Sequence, residues 1–119
     1  MCIRDRMKLA IIGSRNLNIV NLSKYLPQGV TEIVSGGARG IDTCAREYAA
    51  ANNIKLTEFL PEYDKYGRKA PLYRNLQIID YADEVFAFWD GKSRGTAFVI
   101  KQCKIKNKKV TVFRKTVTF

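Results

Sequence analysis

The stretch Ser35-Gly36-Gly37-Ala38-Arg39-Gly40-Ile41-Asp42 decides the fold of this chain. It follows a largely apolar run, Val30 to Val34, and this run predicts a buried strand. Three glycines let the backbone approach a ligand closely, and the N-terminus of a following helix favours negative charge. Arg39 adds donors suited to phosphate or carboxylate, so the stretch predicts an anion site, the alternative being a tight turn without a ligand. The helix is indicated by apolar residues at helical spacing, namely Ile41, Cys44, Ala45, Tyr48 and Ala49.

The composition predicts one globular domain, since 119 residues with 46% hydrophobic and 27% charged residues can bury a core. We expect the domain to span residues 7–119 and residues 1–6 to be a non-native leader. No apolar stretch approaches the roughly 20 residues of a membrane span, and no secretory pattern is present, so we expect no membrane partner. Three cysteines without CxxC spacing indicate a reducing, cytoplasmic setting and no zinc.

Predicted strands and helices alternate along the chain. The strands are expected at Lys8 to Ile12, Glu32 to Ser35, Lys55 to Phe59, Glu84 to Trp89 and Val110 to Phe113. Three helices are expected at Asn18 to Leu26, Ile41 to Asn52 and Arg74 to Ala82. A fourth helix is expected to follow the loop Asp90 to Thr96 and to end at about Lys106. A long loop is expected from Leu60 to Tyr73. This alternation predicts an α/β three-layer sandwich, an open parallel sheet in the order 3-2-1-4-5 with helices on both faces.

Three unusual loops meet in that topology. Gly13-Ser14-Arg15, Gly36 to Asp42 and Asp90 to Thr96 follow strands one, two and four. These loops converge at the carboxyl edge of the sheet, at the switch point where such sheets bind ligands. Two glycine-rich turns with Arg15 and Arg39 around one crevice predict an anion site.

Several side chains of these loops have more than one interpretation. Ser93 and Thr96 are expected to donate to phosphate oxygens, although one of them can also cap the helix. Asp42 either complements the helix dipole, fixes Arg39 or holds a ribose hydroxyl. Asp90 is either a ribose or amine contact or a cap of its own loop.

The expected long loop carries aromatic and basic residues. Tyr66 and Tyr73 are candidates for stacking on a base, although Tyr73 can equally pack on the sheet edge. Arg74 and Asn75, at a helix start, are expected to reach the crevice. A second basic group is interpreted as a solvated helix end rather than a nucleic-acid patch, and consists of Lys101, Lys104, Lys106, Lys108 and Lys109.

Catalytic equipment is sparse. The chain has no histidine, so it has no Ser/His or Cys/His relay and no histidine metal site. No spacing selects a pair among the available carboxylates, and no Gly-Lys-Ser/Thr closes the glycine-rich turn as in an ATPase loop. We expect no catalytic residues, no metal and no cofactor.

The four motifs taken together resemble the SLOG superfamily, particularly its small stand-alone branch related to YspA and YpsA. The resemblance spans most of Met7 to Phe113 and is carried by Gly13-Ser14-Arg15, Ser35 to Asp42, Tyr66-Gly67 followed by Arg74-Asn75, and Asp90 to Thr96. It implies a Rossmann-like fold whose pocket holds nucleotides or nucleotide-derived ligands. It also implies a homo-oligomer, because SLOG relatives commonly dimerise.

The family divides by function. Lonely Guy-type relatives cleave nucleoside monophosphates with a glutamate, where this chain has Val99. DNA-processing relatives share the Ala-Arg-Gly-Ile-Asp turn and bind single-stranded DNA, and SLOG domains of Thoeris-type antiphage effectors sense cyclic ADP-ribose signals. The resemblance to the Thoeris-type SLOG domains implies a role in antiphage defence or counter-defence.

The leading hypothesis is non-catalytic binding, for sensing or sequestration, of a nucleotide-derived small molecule such as an ADP-ribose or cyclic ADP-ribose signal. The alternatives are a phosphoribohydrolase or N-glycosidase acting on nucleotides, and single-stranded nucleic-acid binding. The predicted ligand-binding residues are Gly13, Ser14, Arg15, Gly36, Gly37, Ala38, Arg39, Gly40, Asp42, Tyr66, Tyr73, Arg74, Asn75, Asp90, Ser93, Gly95 and Thr96.

Overall fold

A parallel five-stranded sheet forms the centre of the molecule in the computed structural model, which describes residues 7–14, 22–27, 29–37 and 41–114. The strand order is β3-β2-β1-β4-β5, and every neighbouring pair is parallel. The predicted order is therefore confirmed. The strands are β1 (Lys8–Gly13), β2 (Glu32–Ser35), β3 (Lys55–Glu58), β4 (Glu84–Trp89) and β5 (Val110–Arg114).

Helices cover both faces of the sheet. They are α1 (Ile41–Ala51), α2 (Tyr63–Tyr66), α3 (Ala70–Tyr81) and α4 (Arg94–Ile105), with 3-10 turns at Leu22–Lys24 and Gly67–Lys69. Within the described ranges, no helix combines the length and the apolar character of a membrane-crossing segment.

The central strand β1 has two buried faces because its side chains alternate between them. Leu9 and Ile11 pack with apolar residues of α1 such as Ile41 on one face. Ala10 and Ile12 pack with apolar residues of α3 and α4 on the other face. This arrangement is the predicted three-layer sandwich with a core on each side of the sheet.

Two sequence predictions need correction. The segment expected as a loop, Leu60 to Tyr73, contains α2, a 3-10 turn and the beginning of α3. Pro71 lies in the first turn of α3, where a proline needs no backbone partner and its fixed φ suits a helix, so the helix begins at Ala70 instead of Arg74. Of the helix expected from Asn18 to Leu26, the described part forms only the 3-10 turn at Leu22–Lys24, and residues 18–21 lie outside the described residues.

The cysteines of α1 and α4 are core residues. Cys44 and Cys103 are buried and unbridged. Burial raises the pKa of the Cys103 thiol to about 11, although the charges of Lys108 and Lys106 lower it in part. A thiol with this pKa is protonated at neutral pH and is a poor nucleophile.

Candidate functional site: a polar cavity at the carboxyl edge of the sheet

A cavity of about 580 Å³ lies at the carboxyl edge of the sheet. It is flanked by the residues that follow β1 and β4, the two strands between which the chain order reverses. Ligands of open α/β sheets bind at this switch point. The lining residues are Ile12, Gly13, Ser14, Gly36, Asp42, Pro71, Arg74, Asn75, Ile78, Asp90, Lys92, Ser93, Gly95, Thr96 and Val99.

The loops after β1 and β4 are joined by hydrogen bonds. The backbone N–H of Ser14 donates to the carbonyl oxygen of Phe88 at 3.0 Å. The backbone N–H of Asp90 in turn donates to the Ser14 hydroxyl at 3.2 Å. Since Ser14 is 1% exposed, its hydroxyl is a buried connection between the two loops at the floor of the cavity.

The β4–α4 loop is shaped by its own side chains. Asp90 Oδ1 accepts backbone N–H groups from Lys92 and Ser93, both at 2.8 Å. Ser93 is the N-cap of α4, and its hydroxyl accepts the Thr96 N–H at 3.4 Å and the Thr96 hydroxyl at 3.3 Å. The loop-capping interpretation of Asp90 and the N-cap interpretation of Ser93 are both confirmed. These bonds hold the N-terminal turn of α4 beside the cavity.

Arg74 reaches from α3 to the glycine-rich turn. Its Nη1 donates to the carbonyl oxygen of Gly36 at 2.7 Å and to that of Phe59 at 3.5 Å, and its Nε donates to Asn75 Oδ1 at 2.9 Å. A Cβ on Gly36 would lie 2.9 Å from Arg74 Cζ, closer than side chains tolerate. A glycine at position 36 therefore leaves room for the guanidinium, and a Cβ there would have to displace it.

Asp42 lies in the first turn of α1 and is buried. Its Oδ2 is 3.1 Å from the position that a Cβ on Gly36 would occupy, so this carboxylate and the Arg74 guanidinium flank the same glycine. The negative charge of Asp42 in the first turn of α1 also interacts favourably with the dipole of that helix. The expected contact with Arg39 falls on a residue outside the described part of the chain.

Buried polar side chains concentrate at this cavity. The described part of the chain buries eight polar or charged residues, and five of them line the cavity. Burying polar groups costs free energy unless they find partners, so their concentration around one opening is typical of a ligand site. The five residues are Ser14, Asp42, Arg74, Asp90 and Thr96.

The structure brings ten of the predicted residues together around the cavity. They are Gly13, Ser14, Gly36, Asp42, Arg74, Asn75, Asp90, Ser93, Gly95 and Thr96. The predicted residues Arg15, Ala38, Arg39 and Gly40 lie outside the described residues, so their phosphate contacts stay predictions.

Three described residues of the prediction do not line the cavity. Gly37 donates its N–H to the Ser35 hydroxyl at 3.2 Å. The rings of Tyr66 and Tyr73 stack on each other, with centroids 4.2 Å apart and planes inclined by 24°. Each tyrosine ring thus has the other as its stacking partner, and their contact with a base stays a prediction.

Five residues of the lining are not among the predicted ligand-binding residues, although Val99 was already placed at the glutamate position of cleaving relatives. Four of the five are apolar or proline. Pro71 and Ile78 lie on the face of α3 that carries Arg74 and Asn75, since residues three or four apart share a helix face. That spacing is the signal that could have found them. The five residues are Ile12, Pro71, Ile78, Lys92 and Val99.

The fold and the cavity define an α/β domain of the Rossmann-like class with a ligand-type cleft at its switch point. A family model described as DNA recombination-mediator protein A matches residues 2–62, which is slightly more than half of the chain. The chain belongs to this family, and its assignment to the SLOG-type domains is confirmed. Comparison with curated proteins and with solved structures gave no match.

Proposed function

We propose that this protein binds a nucleotide-derived small molecule, such as an ADP-ribose or cyclic ADP-ribose species, in the cavity at the carboxyl edge. The observation that carries the proposal is the clustering of Ser14, Asp42, Arg74, Asp90 and Thr96, all buried, around one opening. Small-molecule sites occupy about 300–1,000 Å³ and combine apolar walls with a few convergent polar groups. The volume of about 580 Å³ and the mixed lining match that description.

The N-terminal turn of α4 supplies the part of the site suited to phosphate. Gly95 lines the cavity, and a Cβ placed on it would meet nothing within 4 Å, so its backbone faces open space. Helix N-termini attract anions through unpaired N–H groups and the helix dipole. The hydroxyl of Thr96, which donates to the Ser93 hydroxyl at 3.3 Å, is proposed to turn to a phosphate oxygen when the ligand binds. Arg15 and Arg39 are proposed as further phosphate contacts.

Binding without cleavage is supported by the residue at the cleavage position of nucleotide-hydrolysing SLOG relatives. Val99 lines the cavity from α4, one turn after Thr96, and is 2% exposed. A valine cannot accept or donate a proton, so this chain has no carboxylate at the position of the relatives' catalytic glutamate. The remaining carboxylates of the lining are Asp42 and Asp90, and Asp90 Oδ1 is already bonded to two backbone N–H groups.

The test is calorimetric titration of the full chain with AMP, ADP-ribose and cyclic ADP-ribose. We expect micromolar or tighter binding of at least one compound, and chromatography should recover that compound intact. Thr96→Val removes a lining hydroxyl and should weaken binding about three- to tenfold. The matched control is Thr111→Val on β5, away from the lining, which should leave affinity unchanged.

Two results would count against the proposal. Absence of binding to folded protein at high micromolar concentrations contradicts it directly. Conversion of the compound, lost in Asp90→Asn, would replace binding with N-glycosidic cleavage as the function. The conservative amide at residue 90 keeps an oxygen for the backbone N–H groups of Lys92 and Ser93 while removing the charge.

Nucleic-acid binding is the second candidate, favoured by the family description, which names a mediator of DNA recombination. The net charge of +10 suits a polyanion. The lysines after α4 give nucleic-acid binding little support, because partners within the protein already engage them. Lys106 donates to Asp80 Oδ1 at 2.7 Å, Lys108 donates to the Ala82 carbonyl oxygen at 2.6 Å, and Lys109 lies 3.7 Å from Glu84. Fluorescence anisotropy with oligothymidylate at rising salt tests this candidate, and steep salt dependence is its expected signature.

A further inference from the structure

Arg114 lies at the carboxyl edge, next to the candidate site. It is the last residue of β5 and pairs with Trp89, the last residue of β4. Its guanidinium lies over the Trp89 ring, with Cζ 5.5 Å from the ring centroid. A guanidinium stacked on an aromatic ring keeps its charge and holds its donors in one plane.

The β4–α4 loop makes room for this guanidinium at Gly91. The backbone of Gly91 has a φ of 84°, a conformation that side chains disfavour. A Cβ on Gly91 would also lie 2.8 Å from Arg114 Nε and 2.9 Å from its Nη2. Both the backbone and the space at residue 91 are thus suited to a guanidinium packed against the loop.

This contact places a cation beside the cavity, because Gly91 lies between two lining residues, Asp90 and Lys92. Lys92 is exposed, and so is Arg114. In the described ranges neither side chain forms an ion pair with a carboxylate, whereas Arg46 pairs with Glu58 at 2.9 Å. The rim near β5 therefore presents two unneutralised positive charges to solvent.

We infer that Arg114 and Lys92 form an anion subsite on the rim, which takes a second phosphate of a ligand whose nucleotide occupies the cavity. The inference rests on the proposed function and narrows its ligand class to compounds with two phosphates. An exposed cation by itself adds little to the affinity for an anion. The Arg114 side chain is held in place by Trp89 and Gly91, so it loses less conformational freedom when a phosphate binds. The second phosphate is either part of a diphosphate or the phosphodiester of a second nucleotide.

Calorimetry with three probes tests the inference on the full chain. AMP carries one phosphate, ADP-ribose carries a diphosphate, and the 5′-phosphorylated dinucleotide pApA carries a phosphodiester. We expect ADP-ribose or pApA to bind more tightly than AMP. Arg114→Gln should weaken the two-phosphate probe about tenfold and leave AMP nearly unchanged, because only the rim contact is lost.

Lys101→Gln is the matched control, since it removes one positive charge from the exposed surface of α4 away from the lining. It should leave the ratio of the affinities for two-phosphate and one-phosphate probes unchanged. If Arg114→Gln leaves this ratio of affinities unchanged, the rim subsite is overturned. The proposed function would still stand in that case, provided that AMP binds. Wild-type protein that binds none of the three probes overturns the proposed function and the subsite together. Preference for pApA over ADP-ribose assigns the second phosphate to a nucleotide strand, and the reverse assigns it to a diphosphate.

Discussion

The Nη1 of Arg74 donates a hydrogen bond of 2.7 Å to the carbonyl oxygen of Gly36. This bond joins α3 to the turn after β2, although the two residues are 38 positions apart in the chain. The same nitrogen lies 3.5 Å from the Phe59 carbonyl oxygen, and the Phe59 N–H donates to the Ser35 carbonyl oxygen at 2.9 Å. One buried guanidinium thereby holds the carboxyl ends of β2 and β3 beside the cavity.

Removal of this bond is expected to destabilise the fold. Arg74→Met leaves the Gly36 carbonyl oxygen without its charged donor and should lower the free energy of unfolding by about 2–3 kcal/mol. Gly36→Ala should cost about 1–3 kcal/mol because its Cβ would overlap the guanidinium. The double variant should cost less than the sum, since the overlap disappears with the guanidinium. Urea denaturation measures all three.

Gly95→Ala is the matched control for Gly36→Ala. Its Cβ would meet nothing within 4 Å, so the free energy of unfolding should stay the same or rise slightly. Additive costs for the Arg74 and Gly36 variants would show that the two residues do not constrain each other.

The N-cap of α4 is a second target. Ser93→Ala removes the oxygen that accepts the Thr96 N–H and should lower the free energy of unfolding by about 1 kcal/mol. Ser93→Asp keeps an acceptor at the N-cap and should retain most of the stability. Thermal denaturation of the three proteins compares them. Equal losses in the alanine and aspartate variants would contradict a capping role.

Glu32 predicts an acid-dependent loss of stability. Its burial opposes ionisation, but hydrogen bonds of 2.6 Å from Thr57 and Tyr81, with the charges of Lys55 and Lys8, outweigh burial and lower the pKa of the carboxyl below 4.5. A lowered pKa in the folded state adds stability above about pH 4.5, and this stability is lost as the pH falls through the lowered pKa.

Glu32→Gln removes the titrating group and is the direct test. The variant should be less stable than the wild type at pH 7, and the difference should shrink as the pH falls toward 3. Urea denaturation at pH 7, 5, 4 and 3 measures it. A constant difference across this range would show that Glu32 has the same pKa in the folded and unfolded states.

The Cys103 thiol is expected to be unreactive in the folded protein. It is 0% exposed, and burial raises its pKa to about 11, so little thiolate exists at pH 8. Iodoacetamide should modify Cys103 far more slowly in buffer than in urea. Peptide mass spectrometry assigns the modified cysteine, and equal rates under both conditions would contradict a closed α4 core.

The strands and their order followed from local patterns. Apolar runs bounded by turn residues predicted β2 and β4 to the residue, Glu32–Ser35 and Glu84–Trp89. Alternation of strands with helices permits few topologies, because crossovers are right-handed and short. The three loops that converge at the switch point could be found from the same argument, and Ser14, Gly36 and Asp90 do meet there.

Side-chain roles were harder to predict, because they depend on contacts between distant segments. Tyr66 and Tyr73 have the composition of a base-stacking pair, yet the helical conformation of residues 63–81 places them against each other. Arg74 was predicted as a ligand contact, and it lines the cavity while also donating to the backbone carbonyl oxygens of Gly36 and Phe59 and to Asn75. Lys92 belongs to the predicted loop from Asp90 to Thr96, but neither it nor Arg114 was among the predicted ligand-binding residues, because isolated cations near loop ends are common.

The sequence alone determined the layered α/β architecture and the edge of the sheet where a ligand site belongs, because hydrophobic periodicity and glycine-rich turns act over a few residues. Only the tertiary structure decided which polar groups face the cavity and which hold the turns in place. Ser14, Arg74 and Arg114 each acquire their roles from partners on other strands or helices, at Asp90, Gly36 and Trp89. Such pairings depend on how the elements pack, and local sequence patterns do not encode them.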